Sequence, residues 1–592
     1  MRNVYYLLAL LLLNCTGCTT DSLANAFDTA EQGNNSSAGK TDTTTVAPRI
    51  DYSRWADDSI SGTEFDRTIR IVFADGGAQV DGDVNGIVSV DGNHVTVDNN
   101  TTERVMYELS GSSQNGSLKL YSSYKQALVL NGLELTNPNG AAINNQGKKS
   151  CFIVIKGTNR LQDGASYTST PVNEDEKAAL FSEGQIIFSG DGTLSVTAQG
   201  KSGITSDDYV HIMETPVINV VSSTGHGIRG KDAVIISGGS IGVNVSADMK
   251  KGITSDSLVY ITAGATAINI SGAAAYDDED AEYKGTSGIK ADCLFCITDG
   301  TVNVVNYGTG GKGISGDATG CFYGGTVRVT TTGSNYGQSS SNPWGRSSAN
   351  SVSAKGIKFD GNLFFQDGSV AVNCEAHEGI ESKGNIVVNG GVVYSYSAAD
   401  DAINSAGTFT INGGKVCGYA VRNDGLDANG NFYINGGLIY AIGSSVPELA
   451  IDANTEGGYR LYVNGGTIIA IGGLESGASL TQSCYSAASW NRSTWYSMTL
   501  GSEVLAFKTP SSGGTTLVVS GASQPALKSG VTATGGTSWF EGILTTDATV
   551  SGGSDVTLSS YSSGGGFGGG GFGPGGFGPG GGNGPGGRPG GW

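Results

Sequence analysis

Three features of the sequence predict an all-β chain wound as a parallel β-helix: a recurring unit of about two dozen residues, short alternating strand runs inside each unit, and no segment with sustained helical periodicity. The unit is plainest in "NDGLDANGNFYINGGLIYAIG", residues 423–443. Aligning the units on a small or polar residue followed by an aliphatic anchor picks out Leu180, Ile204, Ile228, Ile253, Ile289, Ile314, Ile357, Ile380, Ile403, Leu426 and Ile451. The last intervals among Ile357, Ile380, Ile403 and Leu426 are 23 residues each. So short a period, with no helix in it, is too small for a propeller blade; it fits one coil whose strands pair with their counterparts one coil on, about 4.8 Å away. About twelve such coils extend roughly 60 Å.

Composition agrees. Of 592 residues 96 are Gly, yet 38% are hydrophobic, many of them Val, Ile and Tyr, so the glycines mark turns rather than disorder along the whole length. The net charge of -20 repels nucleic acid phosphates and anionic membrane surfaces and attracts cations. Nucleic acid is thereby excluded as an expected partner.

Taken in order, the chain opens on "MRNVYYLLALLLLNCTGC", an Arg ahead of a short apolar run and small residues. Such a run is the core of a signal peptide rather than a membrane span. Its "TGC" end resembles a bacterial lipoprotein signal, which makes residues 1–18 a leader and Cys18 the lipidated first residue of an exported, surface-anchored protein. Residues 19–60, rich in Ser, Thr, Asn and Asp, read as a flexible tether. An N-terminal β region follows at 61–140, with runs such as "RTIRIVFADGG" and "ALVLNGLEL". The repeats span 141–499, and two long steps within them hold the polar insertions "AAAYDDEDAEYKG" and "TTTGSNYGQSSSNPWGRSSANS". Residues 500–562 carry more β-structure and cap the open end, and the Gly/Phe/Pro-rich tail 563–592 cannot build a core. The cysteines after Cys18 are odd in number and widely scattered, which argues against a disulfide framework, and "DCLFC" lacks a second half to make a zinc site.

Period-two alternation assigns faces within a coil. Ile386, Phe409, Phe432 and Val388, Ile411, Ile434 stack in the core, and Val387, Thr410 and Tyr433 face out. The "NGG" turns place Asn389, Asn412, Asn435 and Asn464 in an amide ladder at a buried turn. The second strand buries Val393, Val416 and Ile439, so Tyr394, Tyr396, Tyr419 and Tyr440 form an outward aromatic patch suited to the apolar faces of sugar rings.

The anchor corners carry the charge. In the early coils Lys201, His226, Lys251, Lys312 and Lys355 precede the anchor and Asp207, Asp256, Asp292, Asp317 and Asp360 follow it, a pattern of solvated ion-pair ladders. The late coils change sign: Glu378, Asp401 and Asp424 stand two before the anchor, and Glu381, Asn404, Asp427 and Asp452 one after it. Like charges at strand spacing repel unless their pKa values rise or a cation sits among them. Oxygen-only donors are the ligand set of a hard ion such as Ca²⁺.

These motifs, with "AALFSEGQIIFSGDGTLSV" and "HGIRGKDAVII", resemble a family of bacterial carbohydrate-binding domain proteins over roughly residues 68 to 560. The resemblance implies a right-handed parallel β-helix similar to pectate lyases. It also implies calcium held at acidic corners, with Asp207, Asp208, Asp401, Asp424 and Asp427 in matching positions, and adhesion to plant cell-wall polysaccharides of the cellulose or polygalacturonate class. A monomeric, non-catalytic polysaccharide-binding module is the expectation. A calcium-dependent lyase using Arg422 as base, and a structural surface adhesin, are the alternatives. His94, His211, His226 and His377 lie in separate coils with no nucleophile motif beside them, and exposed turn positions are expected for them.

Overall fold

A computed structural model describes residues 27–28, 46–168, 170–337 and 351–564. The leader with Cys18, most of the tether, part of the second insertion and the tail from 565 lie outside the described residues. The described chain is nearly all β and forms a parallel β-solenoid of about 15 turns. Three strands per coil generate three parallel faces, illustrated in one coil by Ile386–Val388 on the first face, Val392–Ser397 on the second and the anchor strand Ile380–Ser382 on the third. Each pairs in register with its counterpart in the next: Ile380 with Ile403, Ile386 with Phe409, Val393 with Val416.

The anchors form one unbroken column. It starts before the repeats were legible, running Val95, Leu118, Ile143, Leu180 and on to Leu426, Ile451 and Leu474. The region 61–140 is therefore already solenoid: Arg67–Phe73 pairs in parallel with Val105–Ser113, and that strand with Gln126–Thr136. Each anchor is preceded in most coils by a glycine whose reason is steric. A Cβ on Gly313 would stand 2.1 Å from a Val329 methyl carbon, and one on Gly356 would stand 2.2 Å from Val372. Only a residue without a side chain lets the third face close against the second.

The Asn ladder forms as an amide-to-amide chain, with Asn412 donating to Asn389 at 2.8 Å, Asn435 to Asn412 at 2.8 Å and Asn464 to Asn435 at 2.9 Å. It lies on the exposed rim rather than at a buried turn, because the carbonyl-rich turn itself projects beyond the packed core. Of the insertions, the first folds as a hairpin, Ala275–Asp277 against Glu282–Lys284.

Two further elements cover faces that the repeat leaves open. Residues 46–60, whose polar composition suggested tether, instead dock as a strap. The 3-10 segment Tyr52–Asp58 is capped by Asp51, which accepts a hydrogen bond from Ser53 N at 2.9 Å, and Trp55 is buried among Ala233, Ile235, Leu258 and Tyr260. Composition missed this because one buried indole outweighs many solvated polar side chains. Asp58 is the clasp: the Tyr209 hydroxyl donates to it at 2.7 Å and His211 Nδ1 lies 2.7 Å from its other oxygen. His211 Nε2 in turn lies 2.8 Å from Ser237 Oγ and 3.2 Å from the Tyr52 hydroxyl. Asp58→Ala leaves these buried donors short of an acceptor, a loss of about 2 kcal/mol. The strap is then expected to open about 30-fold more often, and limited trypsin digestion at Arg49 and Arg54 should accelerate accordingly; an unchanged rate would show that Asp58 does not hold it.

At the other end Leu517–Ser520 pairs antiparallel with Thr467–Ile471, ending the second face. An antiparallel sheet built from Trp495–Leu500, Glu503–Lys508, Ala526–Thr534 and their neighbours then folds back over the outer surface of that face, packing on Cys417, Tyr440 and Ile469.

Candidate functional site

The corner geometry brings two outward positions of each coil together, two before and one after the anchor. Along the third face the second of these runs Arg229, Thr254, Lys290, Ser315, Lys358, Glu381, Asn404 and Asp427 in strict register. One ribbon is thus basic at one end and acidic at the other.

At the acidic end, one ligand atom each of Asp424, Asp427 and Asp452 lies within 4.8 Å of the others. Asn404 donates to Asp401 at 2.8 Å and to Asp427 at 3.0 Å, tying the coils together. Burial, then Asp452, pushes Asp424 up to about 9. Burial, then Asp401 and Asp452, holds Asp427 well above the usual carboxylate range, and burial with Asp400 and Asp424 does the same to Asp401. Glu475 is pushed up to about 8 by burial and Asp452. Among the described residues no lysine, arginine or histidine forms an ion pair with Asp401, Asp424, Asp427 or Asp452. Buried carboxylates without a counter-charge must hold protons or a cation, and an all-oxygen donor set fits Ca²⁺. Asp401, Asp424, Asp427 and Asp452 are the residues that would hold it.

The remaining acidic residues proposed from sequence belong elsewhere. Glu378 and Glu381 both face Lys355, whose ammonium lies 3.1 Å from Glu378 and closer still to Glu381. His377 sits against Glu378 and 2.8 Å from Asp400. Burial disfavours its charge, but hydrogen bonds to Asp400 and Glu378 push His377 up to about 9, so a second cation stands there. Lys355 thus gives Glu378 and Glu381 a counter-charge, while one ligand atom each of His377, Glu378 and Asp400 lies within 4.8 Å of the others, a second group that could hold a metal. Asp207 and Asp208 do not share a site: Asp207 pairs with Lys177 at 2.5 Å, near Asp175 and Glu183. Asp208 takes a hydrogen bond from Gln185 and is pushed up to about 6 by burial and Asp232. It lines a cavity of about 290 Å³ with Trp55, Tyr209 and Asp232 beneath the strap.

The tyrosine patch is only partly open. Tyr440 is fully buried, its hydroxyl donating to Lys508 O at 2.7 Å and its ring edge-on to Phe507. Tyr394 is half-buried and stacks on Phe540. The C-terminal sheet covers both, a contact no strand periodicity encodes. Tyr396 and Tyr419 remain a T-shaped pair with centroids 5.2 Å apart. A second aromatic pair on the first face, Tyr433 stacked on Tyr462 at 4.8 Å, follows from register alone. Sequence reasoning also missed the line Asp58–His211–Ser237. His211 is buried rather than on an exposed turn, and its alternate position in the strand Tyr209–Ile212 was the available signal.

Residues 91–256 and 297–417 match the model of a family described as carbohydrate-binding domain-containing protein. Over these two stretches, a little under half of its length, the chain is similar to that family. The match takes in the third-face positions Arg229, Thr254, Ser315, Lys358, Glu381 and Asn404 and ends before Asp424, and its description ties the solenoid to a carbohydrate-related role. Among solved structures, a polysaccharide lyase-like protein from C. thermocellum, a gadolinium derivative, is similar at 22% identity over 45% of this chain and 95% of that one, with a TM-score of 0.33. No curated protein matches.

Proposed function

We propose that this is an exported, lipid-anchored, non-catalytic polysaccharide-binding solenoid, stiffened by Ca²⁺ at the late acidic corners and adhering to plant cell-wall glycans of the cellulose or polygalacturonate class. The family match is the observation that carries the glycan reading. Support for the ion comes from three converging carboxylates, Asp424, Asp427 and Asp452, with Asp401 tied to them through Asn404 and no lysine, arginine or histidine paired with any of the four among the described residues. Tyr396 and Tyr419 supply a partly exposed aromatic surface next to that end of the solenoid, a surface on which sugar rings stack.

A lyase needs a base beside the ion. Arg422 is exposed on the coil of Asp424, but burial and neighbouring lysines lower the pKa of Lys251 and Lys312 instead, and Lys312 lies four coils from Asp427, about 19 Å away. That separation favours binding over elimination. Retention on insoluble cellulose or a polygalacturonate gel, lost on adding EDTA and restored by Ca²⁺, is the expected result. Absence of retention on every glycan tested would refute the reading, and unsaturated products absorbing in the ultraviolet would replace it with a lyase.

A further inference from the structure

The basic end of the ribbon holds a second site that the metal reading leaves unused. Lys251 and Lys312 stand two before their anchors and Lys290 and Lys358 one after theirs. Lys284, on the hairpin Glu282–Lys284, joins them around a cavity of about 180 Å³. Most of these ammonium groups are engaged: Lys290 meets Asp292 at 2.7 Å and Asp317 at 2.9 Å, Lys284 meets Asp277 at 2.8 Å, and Lys358 pairs with Asp360. Two are not neutralised. The Lys251 ammonium donates only to the backbone carbonyl of Met249, at 2.6 Å, and the Lys312 ammonium has neither hydrogen-bond nor ion-pair partner among the described residues. Burial, then Lys358 and Lys355, lowers Lys312 to about 8; burial, then Lys290, lowers Lys251 to about 7. Lysines this close, facing one cavity with Ser287 and Ser315 on its floor, form the mirror image of the carboxylate cluster. Glu282 and Asp317 also line the cavity, but they pair with Lys284 and Lys290, so the repulsion between Lys251 and Lys312 is left for an outside anion to relieve. The cavity is smaller than the ~300–1,000 Å³ that encloses a whole drug-sized ligand, so it suits one charged substituent of a longer chain.

We propose that this lysine cleft is an anion-binding subsite, distinct from the carboxylate cluster, that takes the carboxylate or sulfate of an acidic glycan lying along the third face. The glycan as ligand rests on the proposed function; the site itself does not. The ammonium groups provide charge, the one hydroxyl proton not used in the Ser287–Ser315 hydrogen bond provides a further donor, and the hairpin closes one side. Since no metal takes part, binding here persists in EDTA.

The test uses the full chain in EDTA at low ionic strength, with polygalacturonate, a sulfated glycan, cellulose and free galacturonate as probes, comparing the natural protein with a K251Q/K312Q double variant. Glutamine is one atom shorter than lysine but keeps an N–H donor and removes charges that repel one another, so the variant is expected to fold, with a thermal midpoint close to that of the natural protein. Affinity for the acidic probes should fall at least about tenfold while retention on cellulose stays unchanged. A preference for polygalacturonate over the sulfated glycan assigns the carboxylate as the natural group, and the reverse preference assigns the sulfate. Unchanged acidic-glycan binding in the double variant overturns the cleft and leaves the polysaccharide reading standing. Galacturonate binding that the variant loses, without retention of any polymer, keeps the cleft and refutes the polysaccharide reading. If no acidic probe binds the natural protein, the cleft is refuted outright.

Discussion

Stripped of divalent ions, the protein is expected to lose stability as pH rises from about 4 to about 9. Asp424 titrates near 3.8 when unfolded and near 9 when folded, and Asp401 and Asp427 are also raised. Between those values the folded state binds protons that the unfolded state has released, so the slope of stability against pH is negative; the proton-linked contribution is complete at acid pH and gone above the folded pKa. Calcium at about 100 times its dissociation constant adds about 2.7 kcal/mol, an upward shift of the thermal midpoint of about 3 °C for a folded region of this size, and should flatten the pH dependence. The decisive variant is Asp427→Asn. Its apoprotein should be more stable than the natural apoprotein at pH 8, because a buried repulsion is gone, yet it should lose most of the calcium response. Thermal melts with EDTA and with Ca²⁺ at pH 5 and pH 8 read both effects; a destabilised apo variant would contradict the account.

Phe432→Ala carries the other large effect, a loss of about 3–5 kcal/mol. Phe432 is fully buried, stacked on Phe409 with centroids 4.5 Å apart and paired in register with Leu461 in the next coil. Neighbouring coils cannot collapse into the gap, because their own strands are fixed by the same ladder. In a solenoid each coil leans on its neighbours, so the loss is local rather than global. Hydrogen exchange over residues 403–463 should accelerate while residues 143–290 stay protected. Asp427 shares this coil, so calcium affinity should fall with it. Uniform acceleration along the chain would show that the solenoid unfolds as one unit.

Legibility differed between the two kinds of site residue. Asp401, Asp424, Asp427 and Asp452 were readable because they repeat at coil spacing, and register converts that spacing directly into proximity. Glu378 and Glu381 repeat equally well, but Lys355 in the preceding coil and His377 beside them cancel their charge, which a pattern of like residues cannot reveal. Tyr440 had the right parity for an outward side chain. A sheet some seventy residues later in the chain covers it.

By itself, the sequence determined what depends on period: the parallel solenoid, the stacked anchors, the amide ladder and the change of sign along one face. All of these follow from local alternation and in-register pairing, which any single coil already expresses. Only the tertiary structure decided which repeated positions stay open. The strap on Trp55, the C-terminal sheet on Tyr440, the hairpin beside the lysine cleft and the ion pairs of Glu378 and Glu381 join segments the period does not relate. Those contacts are set by packing and charge between distant parts of the chain, and they separate a ribbon of repeated side chains into an acidic end and a basic cleft.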